Sequence, residues 1–262
     1  MTIKDITAHL ESIAPTHLQE SYDNAGLIVG HPDTEVTGVL TSLDCTEEII
    51  AEAKARGCNM VVAHHPIVFR GLKRFNGNDY VERTVIKAIK EDVAIYAIHT
   101  NLDNVRHQGV NERIAQRLGL ENLRLLGPKN EEKTIGSGMV GELPTGMDEK
   151  IFLRHLKTSM DASLVKHTML LNKEVKTVAL CGGAGGFLLN QAKKAGAQVF
   201  VTSDYKYHEF FDADGQIIIC DIGHYESEQF TTQLLAELLT KKFPTFAVLC
   251  TELTTNPVSY FV

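Results

Sequence analysis

The chain has 262 residues, 44% of them hydrophobic and 23% charged, with a formal net charge of -7. That length supports a large core, at the size where one core commonly splits into two domains. The acidic balance disfavours nucleic acid as a partner, because a broad phosphate contact needs a basic face. No run approaches the roughly 20 apolar residues of a membrane span, and Met1-Thr2-Ile3-Lys4-Asp5 lacks the basic-then-apolar plan of a secretory signal. The expectation is a soluble cytoplasmic protein with no membrane contact. Five cysteines without a C-x-x-C spacing read as reduced core residues rather than disulfides or ligands.

Ile3, Ile6, Leu10 and Ile13 recur at helical spacing and Pro15 closes the pattern, which predicts an amphipathic first helix. Glu20 to Gly26 is rich in turn formers and leads into a strand, Leu27 to Val29; Asp23 and Asn24 within it can line a site or simply make the turn. Val39 to Leu43 reads as a strand and Thr46 as the cap of a helix carrying Ile49, Ile50 and Ala53, with Gly57 as its stop. The apolar run Val61-Val62-Ala63 predicts a buried strand that ends abruptly in His64-His65-Pro66. Neighbouring residues of a regular strand face opposite ways, so both rings converge only if the chain leaves extended geometry, a departure that Pro66 favours.

A basic, glycine-punctuated loop follows, Phe69 to Gly77, containing Arg70, Lys73 and Arg74. A helix is predicted from about Asp79 to Lys90, then a strand, Val93 to Ile98, running into His99 and Asp103, then a helix from Val110 to Leu118. In the second half, Gly136-Ser137-Gly138-Met139-Val140-Gly141 formally matches the G-x-G-x-x-G dinucleotide fingerprint. Pro144 and Gly146 arrive before any helix can open, so a glycine-containing strand is expected instead. A helix from Asp148 to Met160 and strands from Leu164 to Leu171 and Lys176 to Cys181 lead to the glycine loop 182–186, which opens a helix from Phe187 to Ala195. That loop either holds an anion on its backbone N–H groups or lets backbone pack closely. The strand Val199 to Thr202 runs to Asp204 and His208. The strand Ile217 to Cys220 runs to His224 and Glu228 and a long helix, Tyr225 to about Lys242, before a last strand, Ala247 to Thr251.

Four buried-strand ends therefore carry His-His, His-x-x-x-Asp, Asp-x-x-x-His and His-x-x-x-Glu. In α/β sheets, ligands bind outside the carboxyl ends of strands, and parallel strands gather those ends on one edge. His224 and Glu228, four apart at a helix start, share one face. Three imidazoles and two carboxylates exceed what one tetrahedral ion takes from protein when a position stays open. Two ions roughly 3.5 to 4 Å apart would use them all.

The ordered set Tyr22-Asp23-Asn24-x-Gly26-Leu27, His64-His65-Pro66-Ile67, His99-Thr100-Asn101-Leu102-Asp103, Gly141-Glu142-Leu143, Thr202-Ser203-Asp204 with Lys206-Tyr207-His208, and Gly223-His224-x-x-x-Glu228 resembles the Nif-three-like family. Bacterial members are labelled GTP cyclohydrolase I type 2 homologs. The resemblance spans nearly the whole chain and implies two similar α/β domains, placed at residues 1–124 and 125–262 with the C-terminal segment able to pack back on the first. It also implies a dinuclear metal site in the cleft between them and a toroidal homohexamer. By matching position, the ligands fall on His64, His65, Asp103, His224 and Glu228, with His99 and His208 as catalytic or ligand-positioning neighbours. Two divalent ions per subunit are implied, and mixed imidazole and carboxylate ligation suits zinc, iron or manganese. The expected function is a metal-dependent hydrolase acting on a small anionic substrate, nucleotide-like or phosphorylated, held by Arg70, Lys73 and Arg74. The competing expectation is a metal-binding chaperone or a ring-shaped scaffold for protein partners. Ser203 stands where the family commonly has glycine, and the chain is too short for the extra middle domain of some relatives.

Overall fold

Residues 1–261 are described by a computed structural model. Local sequence signals start most of its elements. The first helix, α1 (Ile3–Ile13), buries Ile3, Ile6 and Leu10, and the Asp5 carboxylate accepts the Thr2 backbone N–H at 2.8 Å. After β1 (Gly26–Val29) and β2 (Val39–Ser42), α2 (Glu47–Ala55) begins where Thr46 Oγ1 accepts from the Ile49 N–H. Such a cap contributes about 1 kcal/mol. Next come β3 (Met60–Ala63), α3 (Tyr80–Glu91) capped by Asp79, β4 (Ala94–Ala97), the single turn α4 (Thr100–Asp103) and α5 (Val110–Arg117). The chain continues through β5 (Glu121–Pro128), β6 (Gly136–Met147), α6 (Glu149–Ser159), β7 (Lys166–His167), β8 (Val175–Leu180), α7 (Leu189–Lys194), β9 (Val199–Thr202) and β10 (Ile218–Asp221). It finishes with α8 (His224–Glu228), α9 (Thr231–Lys242) and β11 (Val248–Cys250).

These elements form two compact α/β units. The first comprises Met1–Leu102 and Thr231–Ser259; the second comprises Asp103–Phe230 with Tyr260 and Phe261. The first holds a sheet of order β1-β4-β3-β2-β11, in which only β1 runs antiparallel to its neighbour. Every residue of β2, β3 and β4 is buried; β3 and β4 are accordingly continuous apolar runs rather than alternating ones, while β2 buries Thr41 and Ser42 beside Val39 and Leu40. Leu40, Val61 and Ile95 pack with Ile49, Ile50 and Ala53 of α2 and Val85 and Ala88 of α3. Each large aliphatic buried in this way stabilises the unit by about 1.5–3 kcal/mol.

The second unit holds a sheet of order β5-β6-β8-β9-β10-β7. Strands β8, β9 and β10 are parallel, and the antiparallel pair β5 and β6 extends one side. Its core joins Val140, Ala179, Phe200 and Ile219 of the sheet to Leu188, Leu189 and Ala192. Residues 136–141 lie in β6 and open no helix, as the early Pro144 requires. A Cβ at Gly136 would stand 2.4 Å from the Gly127 carbonyl oxygen, so glycine permits the close pairing with β5.

Two expected elements differ. The strand from Leu164 to Leu171 is reduced to Lys166–His167, an edge strand with β10 as its one neighbour; Met169 beyond it is 86% exposed and lacks the burial that would extend pairing. The long helix from Tyr225 is two helices, interrupted at Gln229 and Phe230. There Gln229 Nε2 donates to the Met160 carbonyl oxygen and the Phe230 ring lies 3.8 Å from the Arg117 guanidinium. Side-chain contacts have overridden a propensity that would have carried one helix through. The cysteines are free thiols, and among the described residues no helix is long and apolar enough to cross a membrane.

Candidate metal centre

In the first unit, β3 ends at Ala63 and the chain bends at His64 and His65. The bend turns both rings to one side: their centroids are 4.9 Å apart, and the His99 ring, past the end of β4, lies 5.3 Å from each. One ligand nitrogen from each of the three rings lies within 4.8 Å of those of the other two. The cluster is sheltered, with His64 fully buried and His65 and His99 partly so.

Each ring is held by its Nδ1. His64 Nδ1 lies 2.8 Å from the Ile98 carbonyl oxygen, His65 Nδ1 2.7 Å from Asp44 Oδ1, and His99 Nδ1 2.7 Å from Asp23 Oδ1. A carbonyl oxygen can only accept, so His64 Nδ1 carries the proton of that bond, which leaves Nε2 as the ring atom able to ligate a metal. The carboxylates act in the same sense on the other two rings. Burial works to raise Asp23, but hydrogen bonds from His99 and Thr100 hold it at about 2. For Asp44, burial likewise opposes and loses to the hydrogen bond and charge of His65 and the hydrogen bond of Thr255, leaving the acid below its usual range. Asp44 is itself braced, its Oδ2 accepting from Thr255 Oγ1 at 2.7 Å.

The basic loop begins beside this cluster. The Phe69 ring meets His99 edge-on at 5.5 Å, and the Asn24 amide donates to the Val68 carbonyl oxygen at 2.7 Å. Arg70, Lys73 and Arg74 are exposed, and their head groups make no hydrogen bond or ion pair among the described residues.

The second unit repeats the device. At the start of α8, His224 Nδ1 lies 2.7 Å from Asp204 Oδ2, and Nε2 lies 3.1 Å from Oε2 of the buried Glu228 one turn on. Burial acts to lower His224, but hydrogen bonds to Asp204 and Glu228 and their charges outweigh it and push the imidazole up to about 11. The Asp221 carboxylate, at the end of β10, fixes both flanking turns: it accepts from the Tyr205 and Gly223 N–H groups, each at 3.1 Å, and pairs with Lys166 Nζ at 2.6 Å. Asp103 ends α4, and its charge, with that of Glu228, adds to burial in raising the Cys181 thiol.

The glycine loop is a close-packing device. A Cβ on Gly183 would stand 2.6 Å from Glu228 Oε1 and 3.3 Å from His224 Cε1, and its φ is +61°. The N–H groups of Gly182, Gly183 and Gly185 donate to Asn111 Oδ1, Ser227 Oγ and Thr202 Oγ1. These three N–H groups are committed to side chains of the same unit, as the close-packing alternative requires. His208 is exposed, with its ring 5.1 Å from Tyr207 and 6.4 Å from Phe211, and it joins no group of three potential metal donors among the described residues.

Sequence reasoning missed Asp44 and left Asp23 undecided between site and turn. A signal for Asp44 existed: β2 and β3 pair in parallel with Ser42 opposite Ala63, and two further residues bring Asp44 opposite His65. The donor set fits a divalent cation. In the first unit His64, His65 and His99, and in the second unit His224, each have Nδ1 held by carbonyl or carboxylate oxygen, the arrangement that orients histidine ligands and raises their basicity.

The family described as Duf34/NIF3 (NGG1p interacting factor 3) matches residues 1–257. A GTP cyclohydrolase 1 type 2 homolog of Clostridium perfringens (strain 13 / Type A) is 34% identical over 229 residues, 87% of each chain. The crystal structure of Staphylococcus aureus hypothetical protein SA1388 has a TM-score of 0.93 at 31% identity, covering 100% of this chain and 99% of that one. A Bacillus cereus protein related to NIF3 also reaches 0.93, at 26% identity and the same coverage. With the sequence matched almost end to end and the fold shared by solved relatives, the chain belongs to the Duf34/NIF3 family.

Proposed function

We propose that the protein is a dinuclear metal-dependent hydrolase of a small phosphorylated or nucleotide-like substrate, with His64, His65, Asp103, His224 and Glu228 as ligands. The observation that carries this reading is the shared anchoring of His64, His65, His99 and His224 through Nδ1. Such anchoring is expected of ligands whose ring direction and tautomer matter; exposed His107 and His167 are held through Nδ1 as well, and what sets His64, His65 and His99 apart is that they converge within 4.8 Å in a sheltered cluster. Zinc, iron or manganese suits the donors. When bound, the ion pair supplies a water acidified to near neutral pH and a positive charge to polarise the substrate.

The chain's own residues do the rest. Asp23 fixes the direction of His99, which stands beside the ligand rings as a proton carrier, and His208 serves as a second proton-handling group. Arg70, Lys73 and Arg74 bind the anionic group, their charges uncommitted among the described residues. The names of the curated relatives favour a guanine nucleotide. A homohexamer working in the cytoplasm completes the reading.

The experiment is elemental analysis of purified protein, followed by hydrolysis assays on nucleotides with metal-loaded protein. Loss of both bound metal and turnover in His65→Ala and Glu228→Ala is the expected result. Turnover unchanged in either variant rules this site out as the catalyst, and tight metal binding with no turnover on any substrate favours a metal-carrying role instead.

A further inference from the structure

The three imidazoles of the first unit stand as a tripod. The ring centroids of His64, His65 and His99 are 4.9, 5.3 and 5.3 Å apart, and the ring planes cross at 45°, 76° and 84°, so no two rings stack. A zinc–nitrogen bond of about 2.1 Å puts an imidazole centroid about 3.2 Å from the metal, and two rings at a tetrahedral angle then lie about 5.2 Å apart. The observed separations match that value. Octahedral right angles would bring the centroids to about 4.5 Å, closer than any of these pairs. With each Nδ1 engaged by the Ile98 carbonyl, Asp44 or Asp23, the atom that each ring offers is Nε2. The His65 and His99 side chains keep 16% and 13% of their surface exposed, so solvent reaches one side of the tripod.

We propose that His64, His65 and His99 form a further metal position, a tetrahedral site for one divalent cation such as zinc with water in the fourth place, and that an ion enters the centre there. The proposal rests on the same two rings, His64 and His65, as the hydrolase reading, but it needs neither Asp103, His224 and Glu228 nor any turnover. All three donors, with Asp23, Asp44 and Thr255 behind them, belong to the first unit, so this site is complete without a ligand from the second. Because His64 and His65 serve both arrangements, the tripod and the five-ligand pair are alternative states of loading. Passage of the ion to the carboxylates of the five-ligand set releases His99 for its proton-carrying role. Three neutral imidazoles bring no charge to the ion, so the tripod holds it less tightly than a set containing two carboxylates. Its occupancy therefore shows in added metal rather than in protein as purified.

Cobalt(II), whose visible absorption reports coordination geometry, is titrated into the full chain carrying Asp103→Asn, His224→Ala and Glu228→Gln. One ion per chain with the intense bands of a tetrahedral site is expected at micromolar cobalt, displaced by zinc. One equivalent of zinc should also shift the imidazole NMR signals of His64, His65 and His99. Adding His99→Gln should remove the tetrahedral bands, and adding Asp23→Asn instead, which keeps the ring, should weaken cobalt binding about tenfold. Should His99→Gln unfold the chain, the shift of the His99 signals in the parent variant decides the matter alone. No ion bound by that variant, weak bands of octahedral type, or binding unchanged by the loss of His99 overturns the proposal. A wild type that takes up two ions while the variant takes up none leaves the five-ligand centre standing and removes only this position. One ion kept by the variant, with a wild type inert towards every nucleotide, supports the tripod and counts against the hydrolase reading alone.

Discussion

Asp44→Asn is the substitution that separates charge from shape in the histidine cluster. An asparagine keeps an oxygen to accept from His65 Nδ1 and an amide to meet Thr255, so ring direction is retained while the negative charge is lost. At 2.7 Å the native contact falls in the short, charge-assisted range. Removing such a partner of a ligating histidine typically lowers metal affinity 10- to 100-fold. The Asp44 side chain is 34% exposed, so solvent screens part of its charge and the lower part of that range applies: about 10- to 30-fold, or about 1.4–2 kcal/mol. Competition for zinc between the protein and a chromophoric chelator measures this directly, with the melting temperature of the metal-free protein as the control for folding. Thr255→Val, which removes one hydroxyl bracing Asp44, should cost less, about threefold, with Thr255→Ser restoring the native value. An Asp44→Asn affinity equal to wild type refutes the reasoning. So does a larger loss in Thr255→Val than in Asp44→Asn, because the threonine acts only through the carboxylate.

Three further outcomes follow from the geometry. His224 stands at about 11 in the metal-free chain, so at neutral pH it carries a proton that an incoming ion must displace. Calorimetry in buffers of different ionisation enthalpy should report about one proton released per site from this group, and heats independent of buffer would contradict the assignment. The Asp23 carboxyl, at about 2 against an ordinary 3.8, contributes stability that is fully present above about pH 4 and lost as pH falls through about 2. The gap in urea stability between wild type and Asp23→Asn should therefore narrow by about 2 kcal/mol on acidification, and parallel curves would sink the idea. Gly183→Ala places a Cβ against Glu228 at a positive φ and should weaken metal binding, whereas Gly186→Ala, with its nearest contact at 3.6 Å, should leave it unchanged.

Much of the fold is legible because apolar runs and punctuation coincide. The buried strand before His64, the cap at Thr46 and the stop after Ala55 are each a local signal that burial reinforces. The candidate ligands are legible for a related reason: they sit just past such strands, and His224 with Glu228 has the spacing of one helical turn. What orients them is less accessible. Asp23 and His99 are 76 residues apart and meet only once β1 pairs with β4, information that no local pattern contains. The division of the last long helix is hidden similarly, since every residue from Tyr225 to Lys242 is compatible with helix and the interruption comes from contacts of Gln229 and Phe230.

The position of β11 has a consequence for biosynthesis. Residues 248–250 complete the first sheet by pairing with β2, more than 200 residues after that strand leaves the ribosome. Until then β2 presents an open flank of unpaired amides and carbonyls, a template for pairing with other nascent chains. The second unit draws almost all of its length from one uninterrupted stretch and can close while the first still waits for its last strand. A stop codon just before β11 would therefore remove few residues yet leave a sticky, incomplete sheet, and the truncated product should be recovered mainly in aggregates.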